Sequence, residues 1–524
     1  MGARGRDLRV TGSAGTGETA VRCERCVDIL QHTDPPASIR KLLILTVTDS
    51  AAEEMRTRIR EKLVTAAAHD PAARRLQREL LWLPGASIST IHAFCKQIIT
   101  EHFHTLGLDP SFRLMDTDEQ RLLKTETLKQ VLDWAWQQED LAQGLKALLR
   151  QRDVSVVQGF PCKILTLSDF LDGVVSRRQW YERAQARAES GLRRTGEWAQ
   201  AQQALVIEKV RELETRLQAV IQFYAEHCTA AQPPTLPNAH LLDTLQQLQT
   251  EAADGHWPAC VAAVHAFAKK NVTKPKAVDE TQAAFIQTRI KQVVTEFIDL
   301  RDWAVLTPDY FDRMAEAVCL QTLTLVELTK EFDRLYRAAK QRSNCLDFAD
   351  LEHYALKVLT EPDGKTGALR PSRSAHTLQQ QYHHVFVDEY QDVNPVQEAI
   401  IRAVQRGDNL FVVGDVKQSI YAFRGAQPGI FQQRLAPAAH TPSEGEAQRI
   451  DLNTNFRSEQ GILDFVNQLF RPLMTQASGG MAYDESAWLR PLQSRAVDEP
   501  LAELHILDEQ ATIPTQAPDD SMRP

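Results

Sequence analysis

"GSAGTGET", Gly12 to Thr19, follows the apolar run "LRV" and leads into "AVRCERCVDIL". It meets the phosphate-loop spacing G-x-x-x-x-G-K-[ST] at every place but one, because Glu18 stands where the pattern needs lysine. Such a loop works because its glycines let backbone N–H groups turn inward around phosphate oxygens, at the N-terminus of a helix whose dipole favours an anion. Here Gly12, Ser13, Ala14, Gly15, Thr16 and Gly17 would form the cradle, and Thr19 stands where a hydroxyl would hold magnesium. Short glycine-rich turns also arise for purely structural reasons, so the rest of the chain must supply the other half of the site.

Outward from this loop, the segment from Leu8 to about Pro110 alternates short β-rich runs with amphipathic helices, which predicts a parallel sheet with helices on its faces. "KLLILTV", Lys41 to Val47, reads as a buried strand. In the next segment Ala52, Met55, Ile59 and Leu63 fall on one helical face, and Ser50 with Glu53 has capping-box spacing. The strand–turn–helix order repeats at "ASISTIHAFCKQII". From about Asp116 to Arg342 helical spacing dominates, as in Leu205, Val206, Val210, Leu213, Leu217, Val220, Ile221 and Tyr224, which predicts a helical insertion. Its breaks include "AAQPPTLPNAH" and the basic loop "KKNVTKPK", which could touch a phosphate backbone or be a solvated turn.

Sheet character returns with "HHVFVDEYQD" and "NLFVVGDVKQSIYAF". The first supplies the missing half of the site: Asp388 would hold magnesium through water, and Glu389 would polarise an attacking water. Acids at strand ends are also common solvated caps. Two consecutive acids after three apolar residues, with a second strand ending in "GDVKQS", weigh against that reading.

Sixty basic against sixty-nine acidic residues give a net charge of -9, so nucleic acid would have to be held locally rather than by bulk charge. No apolar stretch approaches the roughly 20 residues that span a bilayer, so no membrane role is expected. The eight scattered cysteines and the lack of a signal-type N-terminus point to a reducing, cytoplasmic compartment. Cys23 and Cys26 form C-x-x-C inside a helical pattern with no second pair at ligand spacing, which favours core packing over metal.

"GSAGTGET", "LTVTDSAAEEMRTRI", "SISTIHAFC", "VFVDEYQDVNPVQ", "VVGDVKQSIYAFRGA" and "LNTNFRS" resemble, in order, motifs I, Ia, Ib, II, III and IV of the UvrD-type superfamily 1 helicases. Within that superfamily "TAVRCERCVDIL", "HFHTLGLDPSFRLMD", "CLDFADLEHYALKVL" and "GDVKQSIYAFR" are similar to the AddA family, the helicase–nuclease component of the AddAB recombination complex. The resemblance implies an α/β fold: a RecA-like P-loop NTPase sheet, a large all-helical insertion and the start of a second RecA-like domain. On it, 1–115 and 343–440 are the two parts of domain 1A, 116–342 is the insertion, and 441–524 opens the second domain. It implies ATP and Mg2+ as cofactors, the metal on Thr19 and Asp388, and Gln418 and Arg457 at the γ-phosphate, with Phe456 stacked on adenine. It points to DNA contacts at Thr46, Thr48, Thr90, His92, Phe423 and Arg424. Single-stranded DNA held by backbone contacts and aromatic stacking needs no large net charge. On residue type alone, His92 reads as a helix-start hydrogen-bonding residue, and Phe423 and Phe456 as core rings. The implied partners are single- and double-stranded DNA and an AddB-like protein, in a bacterial cytoplasm, for 3′ to 5′ unwinding in double-strand break repair.

The sequence also departs from the family. Glu18 replaces the phosphate-binding lysine, the glutamine motif has no room before "LRV", and motifs V and VI and the nuclease are expected beyond Pro524. At an effective dielectric of about 20, each unit charge about 4 Å from another is worth roughly 4 kcal/mol, and lysine to glutamate reverses the sign beside a polyanion. Two expectations follow: an ATP-driven helicase component by lineage, and, in this copy, a non-hydrolysing DNA-binding module or gene remnant. Magnesium bridging Glu18 to phosphate is a further way for the loop to work.

Overall fold

The computed structural model describes residues 5–33, 37–69, 73–149, 159–191, 193, 195–231, 234–364, 368–476, 480–492 and 503. It divides the chain into two compact units, one made of 1–120, 170–175 and 340–524, the other of 121–169 and 176–339.

The first unit is organised by six strands: β1 (Leu8–Thr11), β2 (Leu42–Thr46), β3 (Ser87–Thr90), β4 (His384–Val387), β5 (Leu410–Gly414) and β6 (Gln448–Asp451). They lie in the order β6-β1-β5-β4-β2-β3, and every pairing is parallel. Parallel strands need helical crossovers, so both faces of the sheet must be apolar. The pleat divides the side chains accordingly. Leu43, Leu45, Val385, Val387, Leu410 and Val412 bury on one face, and Val10, Leu42, Ile44, Phe386, Phe411 and Val413 on the other.

Three helices cover the first face: α3 (Ile91–Leu106) with Phe94, Cys95 and Ile98, α4 (Phe348–Leu359) with Leu351 and Ala355, and α5 (Pro395–Val404) with Val396 and Ile400. The second face is covered by α1 (Glu18–His32) and α2 (Asp49–His69), the latter through Ala52, Met55, Ile59 and Leu63 as the helical spacing predicts. Cys23 and Cys26 are fully buried there, with the Cys23 thiol 3.3 Å from the Met55 sulfur. Each fully buried aliphatic side chain contributes about 1.5–3 kcal/mol of transfer free energy, so these two layers hold the strand ends where the loops need them.

Two local readings change. α2 is capped not by Ser50 but by Thr48, whose hydroxyl accepts from the Ala51 N–H at 3.1 Å, because the helix begins at Asp49 and leaves Ser50 inside its first turn. The strand expected to open a new domain joins this sheet instead: Gln448–Asp451 runs beside β1 in register Leu8 to Gln448 through Thr11 to Asp451. What stands apart in 441–524 is a short parallel pair, Thr454–Asn455 with Arg490–Pro491, and the helix Gln460–Leu473.

The second unit is helical. Helices Glu197–His227, Leu241–Ala253, Trp257–Ala266 and Glu280–Asp299 close around Val206, Val210, Leu213, Leu217, Tyr224, Leu245, Val293 and Phe297. Leu205 of the expected stripe is exposed, since it begins the turn that faces away from Val206 and Val210. The basic loop 269–276 is tied down by Asn238, which donates to the Lys270 carbonyl at 2.9 Å and accepts from its N–H at 2.8 Å. Among the described residues no helix is long and apolar enough to cross a membrane.

Candidate nucleotide and DNA site

In a parallel α/β sheet ligands gather at the carboxyl ends of the strands, and all the sequence-singled residues that the sheet carries lie at that edge. The phosphate loop leaves β1, Asp388 and Glu389 follow β4, Asp415 follows β5, and Thr46 and Thr90 end β2 and β3. The loop is stitched to β5 by the Gly12 N–H, which donates to the Gly414 carbonyl at 3.1 Å. Thr16 closes it internally, its hydroxyl donating to the Ser13 carbonyl at 2.7 Å and accepting from the Ser13 N–H at 3.0 Å.

Two glycines are fixed by neighbours. Gly15 has φ 79°, and an added Cβ would lie 2.7 Å from the Asn455 Nδ2 and 3.0 Å from the Arg457 Cβ. A Cβ on Gly12 would overlap the Glu18 carboxylate, so the Glu18 side chain folds back over the start of the loop rather than pointing away. Burial, with Glu389 and Asp415 nearby, pushes the Glu18 carboxyl up to about 7.

The "LNTNFRS" segment closes on the same loop. Asn455 donates to the Ala14 carbonyl at 2.6 Å, and the Phe456 N–H donates to the Gly15 carbonyl at 2.9 Å. The Asn455 carbonyl oxygen then accepts from the N–H groups of Arg457 and Ser458, each at 2.8 Å, presenting Arg457 beside the cradle. Phe456 is 62% exposed, so it is not the core ring that residue type alone suggests.

The acidic strand end is held in an unusual backbone. Glu389 has φ 48° and ψ 49°, a left-handed conformation rare outside glycine and asparagine. Its N–H donates to Asp388 Oδ1 at 2.9 Å, and Gln391 Nε2 donates to its carboxylate at 2.8 Å. Gln391 Oε1 in turn accepts the Asp415 N–H at 2.9 Å. Gln418 does not stand alone: its amide donates to Asp415 Oδ2 at 2.9 Å, while Lys417 pairs with Oδ1 at 2.7 Å.

Thr19 and Asp388, expected to share magnesium, are joined by Arg22. Its guanidinium pairs with Asp388 Oδ2 and donates to the Thr19 hydroxyl at 2.9 Å, with Arg22 and Asp388 8% and 7% exposed. A metal ion needs those same oxygen lone pairs free, so this donor set does not fit magnesium as it stands. Nor do the described residues contain a group of three or more His, Cys, Asp or Glu arranged to hold one.

At the DNA candidates, Thr90 caps α3 by accepting from the Ala93 N–H at 3.2 Å, and the Thr46 hydroxyl donates to the Thr48 carbonyl at 2.9 Å. His92 pairs with the buried Glu352 at 3.0 Å and meets the Phe348 ring edge-on at 4.9 Å. Glu352 also accepts from Asn394 at 2.9 Å and Gln397 at 2.7 Å. Burial raises its carboxyl, and these donors outweigh that and leave it below the usual range. Phe423 is 78% exposed, beside Tyr421 and the exposed Ile420. The Arg424 side chain lies outside the described residues.

Sequence reasoning missed Arg22, Asn455, Gln391, Asp415 and Glu352 as members of this network. Arg22 had a signal, since it stands four residues after Glu18 and therefore on the same helical face. Asn455 lay inside a quoted motif without a role of its own.

A phosphate-loop strand, an acidic strand end two places away across the sheet and helices on both faces define a RecA-like P-loop NTPase fold with a helical insertion. Residues 3–437 match the UvrD/REP helicase N-terminal domain family, and the chain belongs to that family. It is similar to proteins named as the AddA component of an ATP-dependent helicase/nuclease. The one from Pelotomaculum thermopropionicum is 34% identical over 93% of this chain and 39% of the relative. Those from Moorella thermoacetica and Geobacillus kaustophilus are 36% and 34% identical, over 93% and 94% of this chain and 35% and 40% of theirs. The chain thus spans about two-fifths of the length of these curated relatives.

Proposed function

We propose that the chain is the nucleotide- and DNA-binding region of an ATP-dependent 3′ to 5′ DNA helicase of AddA type, and that Glu18 leaves this copy with little or no ATP turnover. The observation that carries the reading is the closure of three separate motifs on one loop: Asn455 on Ala14, Phe456 on Gly15 and Gly414 on Gly12. In the intact lineage Glu389 would orient the attacking water, and Gln418 and Arg457 would meet the γ-phosphate, with Phe456 against the adenine. Arg457 stabilises charge that develops on the transferring phosphoryl group. Magnesium on Thr19 and Asp388 is not carried into this chain, because Arg22 engages both.

Thr46, Thr48, Thr90, His92, Phe423 and Arg424 would track single-stranded DNA along the ends of β2 and β3. Partnership with an AddB-like protein, action on double-strand breaks in a bacterial cytoplasm, and the division into 1–115, 116–342, 343–440 and 441–524 belong to the same reading. A second reading, a DNA-binding module without an ATP cycle, is favoured by Glu18 folded over Gly12 and by Arg22 on Asp388. Both readings predict weak, salt-dependent binding of a labelled oligonucleotide by the purified chain, measured by fluorescence anisotropy. No binding at low salt would refute them together. DNA-stimulated phosphate release separates the first from the second.

A further inference from the structure

Arg22 is the buried cation that the family chemistry leaves unexplained. It sits one helical turn beyond Glu18, with its guanidinium on the Asp388 carboxylate and on the Thr19 hydroxyl at 2.9 Å. These are one oxygen from the loop–helix junction and one from the acidic strand end, the two elements that a divalent ion would join. A planar guanidinium has several N–H donors in fixed directions and can bridge two oxygens that a compact ammonium could not. The same end of the site carries Glu389 and Asp415, and Glu18 itself, so a fixed positive charge is needed there whether or not nucleotide is present.

We propose that Arg22 is a resident cation occupying the place of the metal, so that the loop and the acidic strand of this chain are held together without a divalent ion. This builds on the reading of residues 12–19 and 388 as a nucleotide site, but the bridge exists in the protein alone, and its test uses metal alone. Failure of nucleotide binding would therefore leave it standing, and its own failure would leave the nucleotide site standing.

The experiment compares the full chain with Arg22→Met by thermal unfolding in EDTA and in 10 mM MgCl2, alongside electron paramagnetic resonance of added Mn2+. The unmodified chain is expected to show the same Tm in both buffers, within about 1 °C, and to leave the free Mn2+ signal undiminished. Arg22→Met leaves Asp388 buried without its partner, and its Tm should fall by roughly 5–10 °C. Magnesium should then restore about 2–4 °C, because the vacated oxygens can take a weakly held ion, and Arg22→Met/Asp388→Asn should gain nothing. One equivalent of Mn2+ bound by the unmodified chain and lost in Asp388→Asn would overturn the proposal, whether or not Arg22→Met folds. An Arg22→Met chain that matches the original in Tm, or that falls in Tm and is indifferent to magnesium, would overturn it as well.

Discussion

Glu18→Lys is the substitution that the geometry singles out. The carboxylate folds back over Gly12, at the mouth of a loop whose N–H groups and helix N-terminus would otherwise favour an anion. Replacement by lysine changes the charge there from negative to positive. At an effective dielectric of about 20 each unit of charge about 4 Å from a phosphate charge is worth roughly 4 kcal/mol. Solvent at this half-buried position, and the nearby Lys417 and Arg22, reduce the effect to on the order of 2–4 kcal/mol, or about 30- to 1000-fold in affinity. Repulsion from Arg22 is small because Asp388 already engages that guanidinium. The assay is equilibrium titration of a fluorescent ATP analogue into the original chain, Glu18→Gln and Glu18→Lys. Affinity should rise in that order, with glutamine about midway in free energy. An original chain that binds as tightly as Glu18→Lys, or a Glu18→Lys chain that binds no better, would refute the electrostatic reasoning.

Phe423→Ala should weaken oligonucleotide binding by about 5- to 150-fold, the range for one base stacked on an aromatic ring at about 1–3 kcal/mol, while leaving the salt slope in the anisotropy titration unchanged. His384 on β4 has its imidazole pushed down to about 4, by burial first and then by Arg25, His383 and Arg406. It folds neutral, so its share of stability is complete above about 6.5 and is lost as pH falls toward 4; urea midpoints should drop by an amount equivalent to about 2–3 kcal/mol between pH 7 and 4.5, and His384→Gln should flatten that slope. Glu352→Ala removes the shared acceptor of His92, Asn394 and Gln397 and should destabilise the chain by about 2–4 kcal/mol in urea unfolding, with Glu352→Gln milder; a loss under about 1 kcal/mol would contradict its role as a hub.

The sheet was legible because its strands are buried on both faces. "LLILT" and "LFVVG" are continuous apolar runs, and only a parallel sheet under two helical layers accounts for such runs followed by polar loops. The α2 stripe read correctly because helical spacing records which side is dry. What stayed hidden depends on partners distant in sequence. Gln448–Asp451 is only partly buried and short, and its place beside β1 follows from backbone pairing across more than 400 residues, which periodicity cannot register. The cap at Thr48 rather than Ser50 is a difference of hydroxyl geometry that spacing rules do not resolve. Phe456 and Phe423 read as core by residue type, yet both face solvent because each sits on a loop at the strand ends rather than in a layer. Arg22 is the largest omission. Inside an otherwise apolar helical pattern it looks like a solvated charge, and only the approach of Asp388 from β4 gives it a buried partner.

The central claim is that this chain keeps the architecture of a motor ATPase around a phosphate loop whose charge is reversed. Phosphate release from ATP is its most direct measure, recorded for the original chain and for Glu389→Gln, each with and without single-stranded DNA. The account predicts that the two chains release phosphate at the same background rate and that DNA changes neither. DNA-stimulated release by the original chain that disappears in Glu389→Gln would contradict it.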